Sequence, residues 1–282
     1  MSGHVPNVRD ALREARLAGL DRLDAQLLLA HVMGQSRAWL VAHDDASMDD
    51  GQDARFQELL ARRAAGEPFA YLVGEREFHG LALAVGPGVL VPRPDTETLV
   101  DWALELLQAD AGAAPAVLDL GTGSGAIALA LKHRCPRARV WAGERSADAL
   151  AIARANAERL ALDVRFAPGS WWDAIADAAD APVFDLVVSN PPYIAADDPH
   201  LPALAHEPLS ALVAADDGLA DIRAIANGAR GRLRPGGWLL FEHGWTQSDA
   251  VATILREAGF DAAQTRRDIE GRPRCTGAIL NF

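Results

Sequence analysis

Long apolar runs and a basic surplus are both missing from this sequence. No stretch approaches the roughly 18 apolar residues of a membrane-spanning helix, and residues 1–12 are too polar for a signal peptide. Only 27 Lys and Arg face 39 Asp and Glu, which gives a net charge of −12. That balance argues against a protein that wraps a nucleic-acid backbone. We therefore expect a cytoplasmic protein that binds no membrane and forms no stable complex with nucleic acid.

Cysteine is also scarce. The chain has two, Cys135 and Cys275, and they lie far apart in the sequence. This spacing matches neither a metal-ligand cluster nor a redox pair. We expect two buried free thiols in a reducing compartment, and no metal site.

Residues 1–75 carry apolar side chains at helical spacing. The pattern predicts helices over residues 7–17 and 53–65, and a third that Asp21 caps and Gly34 ends. No motif in this segment carries obvious chemistry, so it is either a stabilising helical cap or a docking surface. Residues 76–97 then predict a β-hairpin linker, with strands over 78–85 and 89–91 around a Gly86-Pro87-Gly88 turn.

From residue 98 to 282 the pattern alternates between helix and strand. This alternation predicts an α/β domain with a mostly parallel sheet and helices on both faces. Strands are expected over 117–120, 139–144, 164–167, 184–189 and 238–242, with two more around Gly271-Arg272-Pro273, and helices over 126–134, 147–160, 218–233 and 249–258.

A glycine-rich loop joins the first of these strands to its helix. The loop reads Gly121-Thr122-Gly123-Ser124-Gly125, a pattern that lets backbone approach a ligand at a helix N-terminus. Glu144 ends the next strand a little over 20 residues later, where an acid can accept both hydroxyls of a ribose. Trp171 follows the third strand and can flank a base. A dinucleotide site is a poor match, because Ala126 stands where the last glycine belongs.

The segment Asn190-Pro191-Pro192-Tyr193 follows the fourth predicted strand. The prolines end the strand and leave the Asn190 carboxamide at its carboxyl end. The Asn190 side-chain oxygen and the Pro191 carbonyl can each accept one N–H, and Tyr193 can cover a flat face. This tip suits an amine whose lone pair is delocalised into a carbonyl or a ring. Because ligands bind at the carboxyl ends of parallel strands, Gly121 and Asn190 should face one crevice.

Several motifs together resemble one enzyme family. The segment 119–125 resembles the cofactor loop of class I S-adenosylmethionine-dependent methyltransferases, and 190–193 resembles the target-amine motif of amino-group methyltransferases. Segments 91–97, 207–216 and 241–244 are similar to the family that methylates the glutamine of peptide-chain release factors. The resemblance covers nearly the whole chain. It implies a Rossmann-like fold with a seven-stranded sheet, S-adenosylmethionine as cofactor, and release factors as the protein substrate of a monomeric enzyme.

The resemblance also implies roles for individual residues. Gly121 to Gly125, Glu144, Trp171 and Asn190 would contact the cofactor. Residues 190–193 would hold the glutamine of a Gly-Gly-Gln motif, with Asn190, Pro191 and Tyr193 at the reacting amide, and residues 1–75 would dock the substrate. Two positions depart from the family pattern, because Glu144 and Ser170 stand where Asp is usual. At position 170, the resemblance therefore leaves open whether the residue contacts the amine of the adenine.

Two other functions compete with this interpretation. An N6-adenine or N4-cytosine methyltransferase shares Asn-Pro-Pro-Tyr, since the lone pair of an exocyclic base amine is also delocalised. Such an enzyme needs a basic region that reads the target nucleic acid. The local basic cluster here is Arg266, Arg267, Arg272 and Arg274, which is either a solvated hairpin or a contact for an acidic or tRNA-like partner. A non-catalytic nucleotide-binding module is the second competitor. For the enzyme we expect no strong base within the motif.

Overall fold

The computed structural model describes residues 6–109 and 114–281. The chain divides into two compact units, Met1–Glu75 and Arg76–Phe282. Residues 76–97 therefore belong to the second unit.

The first unit is helical. Asn7, Asp21 and Ser36 each cap a helix by accepting a hydrogen bond from a backbone amide three residues on, and Gly34 ends the second helix in the left-handed conformation. The predicted helices over 7–17 and 21–34 are confirmed. The described part of this unit contains α1 Val8–Leu17, α2 Arg22–Met33, α3 Arg37–Ala42, α4 Asp50–Ala64 and α5 Phe69–Val73.

The helix predicted over 53–65 begins earlier than expected. A capping box between Asp49 and Gln52 starts α4 at Asp50, because the two residues satisfy each other's backbone amides. The core of the unit joins all five of these helices through buried apolar side chains, among them Val8, Leu28, Leu40, Phe56 and Leu72.

The predicted hairpin exists, but its position was wrong. Its strands are β1 Glu75–Phe78 and β2 Leu81–Ala84, so the turn lies at His79-Gly80 and not at 86–88. Residues 89–91 form no strand. The backbone amide of Val91 donates to the buried carboxylate of Glu207 at 2.9 Å instead of to a neighbouring strand.

The second unit is built on a seven-stranded sheet in the order β5-β4-β3-β6-β7-β9-β8. The first five strands in this order are parallel, and β9 runs antiparallel to both β7 and β8. This confirms the mostly parallel sheet. The strands are β3 Ala116–Leu120, β4 Arg139–Glu144, β5 Val164–Pro168, β6 Phe184–Ser189, β7 Leu233–Glu242, β8 Phe260–Arg267 and β9 Pro273–Leu280. The helices are α6 Glu97–Ala109, α7 Ala126–Arg134, α8 Ala147–Arg159, α9 Ala215–Gly218, α10 Ala220–Gly228 and α11 Ser248–Glu257.

The helix predicted over 218–233 was wrong in its last five residues. Helix α10 ends at Gly228, and β7 begins at Leu233. Strand β7 pairs with β6 at Phe184 and Leu233, then again at Leu186 and Trp238, so three extra residues of β7 bulge between these pairs. The bulge contains Pro235, which has no amide to donate to the ladder.

Helices cover both faces of this sheet. Alternate strand residues point to opposite sides, so Leu186 and Val188 pack with α6 and α7, whereas Val187 packs with α10 and α11. Both cysteines are buried on the first side as free thiols, as expected.

The chain reverses direction across the sheet between β3 and β6. It runs outward from β3 to β4 and β5, then returns to place β6 on the other side of β3. Leu120 and Ser189 are paired at the ends of these strands, and the Ser189 hydroxyl donates to the Leu120 carbonyl at 2.6 Å. Gly121 and Asn190 therefore leave neighbouring strands at one edge, where α/β sheets bind ligands.

Candidate active site

A cavity lies at the carboxyl ends of β3, β4 and β6. The space between its lining residues amounts to about 900 Å³ when the solvent at its open mouth is included. The predicted residues Gly121, Thr122, Gly123, Ser124, Glu144, Trp171, Asn190 and Pro192 all line it, together with Ser170. Gly125, Pro191 and Tyr193 do not lie in the cavity wall. Gly88 to Leu90, Thr96, Ser210 and Ala211 also line the cavity, although the sequence had predicted no role in the site for any of them.

The glycine loop packs directly against an aromatic ring. A Cβ built on Gly121 meets the Trp171 ring at 3.0 Å, so a larger residue would push that ring away. The Trp171 indole donates to Asp221 at 3.2 Å, which fixes the ring from its other edge. Trp172 points elsewhere: it is buried and donates to the Ile225 carbonyl at 2.9 Å. Only the first of the two adjacent tryptophans is thus part of the cavity wall.

Asp119, near the end of β3, anchors the glycine loop. Its Oδ2 accepts from the Thr122 hydroxyl at 2.7 Å and from the Ala128 amide at 3.2 Å, so one carboxyl joins the loop to α7. Burial raises the pKa of Asp119 to about 7, and the nearby charge of Glu144 adds to that rise. Among the described residues, its Oδ1 has no hydrogen-bond partner.

Glu144 lines the cavity beside the glycine loop and is 8% exposed. Its Oε2 accepts from the Gly123 amide at 2.9 Å, and its Oε1 accepts from the Ser146 amide at 2.8 Å. The two amides fix the carboxylate, and each oxygen keeps capacity for another donor. A glutamate at this position therefore reaches both the loop and the cavity.

Asn190 reaches the cavity from the end of β6. Its Nδ2 donates to the buried Thr96 hydroxyl at 3.4 Å, the long end of the hydrogen-bond range. This contact turns the amide group toward residue 96 and leaves Oδ1 with capacity to accept. Thr96 belongs to the segment 91–97, but its contact with Asn190, 94 residues away along the chain, was not predicted.

Tyr193 lies in the segment that follows β6 and is not part of the cavity wall. Its hydroxyl donates to Oε1 of Glu242 at 3.3 Å, and burial raises the pKa of the Tyr193 phenol. Burial also raises the pKa of Glu242 to about 7, and the charge of Arg274 opposes that rise. A carboxyl that titrates near neutral pH therefore contacts the motif without lining the cavity.

Glu242 should make the folding free energy depend on pH. Its folded pKa of about 7 exceeds the ordinary glutamate value of 4.5, so between these values the folded state keeps a proton that the unfolded chain has released. Stability therefore falls as pH rises through this window and levels off above it. The expected loss from Glu242 is on the order of 3 kcal/mol, at ~1.4 kcal/mol for each pKa unit.

Denaturant unfolding of Glu242→Gln at pH 5 and pH 8 measures this effect. The difference in unfolding free energy between the two pH values should shrink relative to the wild type, because glutamine carries no proton to release. The same change at exposed Glu158 serves as the control. An unchanged pH difference in Glu242→Gln would contradict the assignment.

Two distant motifs meet beside the cavity. Glu207 is buried, and its carboxylate accepts from the Val91 amide and from the Arg93 guanidinium. Arg145 donates to the Ser210 carbonyl at 2.7 Å. These contacts hold the segments around 91–93 and 207–211 at the cavity mouth. The sequence contained both motifs, but nothing in it showed that they pair.

The arginine cluster of the last hairpin is largely neutralised. Arg274 is buried and lies 3.1 Å from Asp95 and 3.2 Å from Asp268. Two further arginines of the cluster face carboxylates, Arg266 that of Glu105 and Arg272 that of Glu270. A cluster whose charge is already balanced attracts a phosphate backbone weakly.

Across residues 6–109 and 114–281, no helix combines the length and apolar character needed to cross a lipid bilayer. Within those same ranges, no three His, Cys, Asp or Glu side chains are grouped to hold a metal ion.

The fold and the cavity together define a class I methyltransferase. The sheet order, the glycine loop after β3, the acid ending β4 and the Asn-Pro-Pro-Tyr segment after β6 all belong to this class. The 16S rRNA N2 G1207 methyltransferase of T. thermophilus, in complex with AdoMet and guanosine, shares the fold with a TM-score of 0.52. It is 24% identical, and the match covers 73% of this chain and 50% of that one.

Sequence comparison identifies the family. The PrmC N-terminal domain matches residues 7–74, and the Methyltransferase small domain matches residues 97–211. The release factor glutamine methyltransferase of Bordetella pertussis is 52% identical over 93% of this chain and 96% of its own. That of Burkholderia pseudomallei is 47% identical over 98% of both chains. The chain belongs to the release factor glutamine methyltransferase family.

Proposed function

We propose that this chain transfers the methyl group of S-adenosylmethionine to the side-chain N5 of the glutamine in the Gly-Gly-Gln motif of peptide-chain release factors. Family membership supports the reaction, and one observation supports the site. The glycine loop, Glu144 and the amide of Asn190 line one continuous cavity. A methyl donor and an amide acceptor can therefore meet there.

The cavity residues fit the proposed cofactor. The Glu144 carboxylate is fixed by two amides and can accept from ribose hydroxyls, and the Trp171 ring offers a flat apolar surface beside Gly121. Ser170 also lines the cavity, and its hydroxyl can still bond an adenine amine, although it lacks the charge of the family's usual Asp. When bound, S-adenosylmethionine supplies a methyl group on a positively charged sulfur.

Asn190 orients the nucleophile. A carboxamide nitrogen is a poor nucleophile, because its lone pair is delocalised into the carbonyl. Asn190 Oδ1 would accept one N–H of the substrate glutamine, and the Pro191 carbonyl would accept the other. Together they would aim the nitrogen and favour its pyramidal form. Orientation of this kind lowers barriers by up to ~7–11 kcal/mol in the best cases. Tyr193 would support this loop through its bond to Glu242.

No strong base is required beside the nitrogen. Of the described residues that line the cavity, only Glu144 carries a carboxylate, and two backbone amides already hold it. We propose that the amide proton leaves to water or backbone after transfer, when the methylated nitrogen has become acidic.

Thr96→Val should lower kcat by about 2- to 10-fold, because a neutral hydrogen bond contributes ~0.5–1.5 kcal/mol. Valine keeps the shape of threonine but offers Asn190 Nδ2 no acceptor, so the amide loses its fixed orientation. Initial rates with saturating cofactor measure the effect. Thr96→Ser keeps the hydroxyl and should retain most of the rate, and a Val variant as fast as the Ser variant would rule out this role.

The reaction is tested with labelled S-adenosylmethionine, purified release factor and peptide mass mapping. We expect one methyl group on the glutamine of Gly-Gly-Gln, and none on a release factor whose glutamine is replaced by alanine. DNA and RNA fragments form a second arm of the assay. Label on an exocyclic base amine, or on a residue other than that glutamine, would overturn the proposal.

A further inference from the structure

One side chain binds the backbone of the Asn-Pro-Pro-Tyr segment from outside the cavity. Gln247 Nε2 donates to the Tyr193 carbonyl at 3.0 Å and to the Asp217 carbonyl at 3.1 Å. Its Oε1 accepts from the Gly244 amide at 2.8 Å. Both amide protons and the amide oxygen are thus in use. Gln247 does not belong to the cavity wall.

These contacts join three loops at the same edge of the sheet. The first follows β6 and contains Asn190, the second is the short turn α9 before α10, whose Asp216 and Asp217 are not helical, and the third follows β7. The second loop is strained, because Asp216 and Asp217 have φ of 56° and 53°, values that side chains with a Cβ rarely adopt. Such a conformation persists only where surrounding contacts hold it, and the bond from Gln247 to Asp217 is one of them.

Gly218 completes the arrangement. It has φ of 83°, and a Cβ placed on it would lie 2.0 Å from the Tyr193 carbonyl oxygen. The backbone of the strained loop therefore packs against the same carbonyl that Gln247 binds. Tyr193 is fixed from two directions, three residues after Asn190.

We propose that Gln247 is a positioning residue, which holds the Asn-Pro-Pro-Tyr segment so that Asn190 meets the substrate amide in the reactive orientation. This inference rests on the proposed function for its catalytic consequence. Gln247 acts through the Tyr193 carbonyl and touches neither ligand. Its loss should therefore reduce the rate of the chemical step and leave cofactor affinity unchanged.

Two substitutions separate hydrogen bonding from size. Gln247→Glu can still accept from the Gly244 amide, but it cannot donate and brings negative charge to two carbonyl oxygens. Gln247→Met keeps the length of the side chain and removes all three bonds. Gln264→Glu, at an exposed position on β8, is the matched control.

Steady-state kinetics on release factor and calorimetric titration with S-adenosylmethionine provide the first readout. We expect kcat to fall at least 10-fold in both Gln247 variants, with the Kd for S-adenosylmethionine within 2-fold of the wild type. The control should match the wild type in both. A kcat within 2-fold of the wild type, or a cofactor Kd that weakens in parallel with kcat, would overturn the proposal.

Amide hydrogen exchange provides a readout that needs no substrate. The Ile194 amide donates to the Leu212 carbonyl at 2.9 Å, so its protection reports on the end of the motif. It should exchange at least 10-fold faster in Gln247→Met, while Val187 in the core of β6 stays protected. Unchanged exchange at Ile194 would reject the positioning role even if the wild type did not methylate release factor. Inactivity of the wild type would reject only the proposed function.

Discussion

Asn190→Ala is expected to lower kcat on release factor by about 100-fold or more. The variant leaves a buried substrate N–H without an acceptor, which costs ~1–3 kcal/mol, and it also loses the orientation of the nitrogen. Cofactor affinity should change much less, since the glycine loop and Glu144 are untouched. Single-turnover transfer of labelled methyl, with calorimetric titration of S-adenosylmethionine, separates the two effects.

Asn227→Ala is the matched control for this experiment. Asn227 is exposed on α10, so its removal should leave both turnover and cofactor affinity unchanged. An Asn190→Ala enzyme that kept near-full turnover would show that the Asn-Pro-Pro-Tyr segment is not the amide-binding element.

Glu144→Ala is expected to weaken the binding of S-adenosylmethionine by about 100-fold or more. Hydrogen bonds to a charged group contribute ~1.5–3 kcal/mol each, and this carboxylate would make one to each ribose hydroxyl. The substitution also frees the amides of Gly123 and Ser146, which the carboxylate now orients. Calorimetric titration with S-adenosylmethionine and with its demethylated product measures the loss.

Glu144→Asp tests the departure from the family pattern at this position. Aspartate keeps the charge but is shorter by one methylene, so in this backbone it cannot hold both amides at their present distances. We expect an affinity between those of the wild type and the alanine variant. Glu158→Ala, at an exposed position on α8, should bind as the wild type does. Equal affinity in the wild type and Glu144→Ala would exclude a ribose contact.

The features that the sequence predicted well depend on neighbouring residues. Asp21 caps α2 by accepting from an amide three residues away, a local contact that a short pattern predicts. The glycine loop and the Asn-Pro-Pro-Tyr segment follow apolar strands directly. The parallel order of the sheet then brings both segments to one edge. This placement follows from the order and direction of the strands and does not depend on side-chain contacts.

The features that were missed depend on contacts between distant residues. Residues 89–91 have the composition of a strand, but the Val91 amide bonds Glu207, 116 positions later. The Thr96 hydroxyl meets Asn190 across 94 positions, and Gln247 meets Tyr193 across 54. Each of these side chains is unremarkable in its own segment. Its role arises only when the sheet brings two remote loops together.

The pairing of β3 with β6 also bears on how the enzyme is synthesised. The bond from Ser189 to Leu120 spans 69 residues. The glycine loop after β3 is therefore synthesised well before β6, the strand that pairs with β3. A nascent chain that stops short of β6 exposes an apolar strand edge, which favours aggregation. An abortive polypeptide of this kind would therefore be a client for chaperones or proteases.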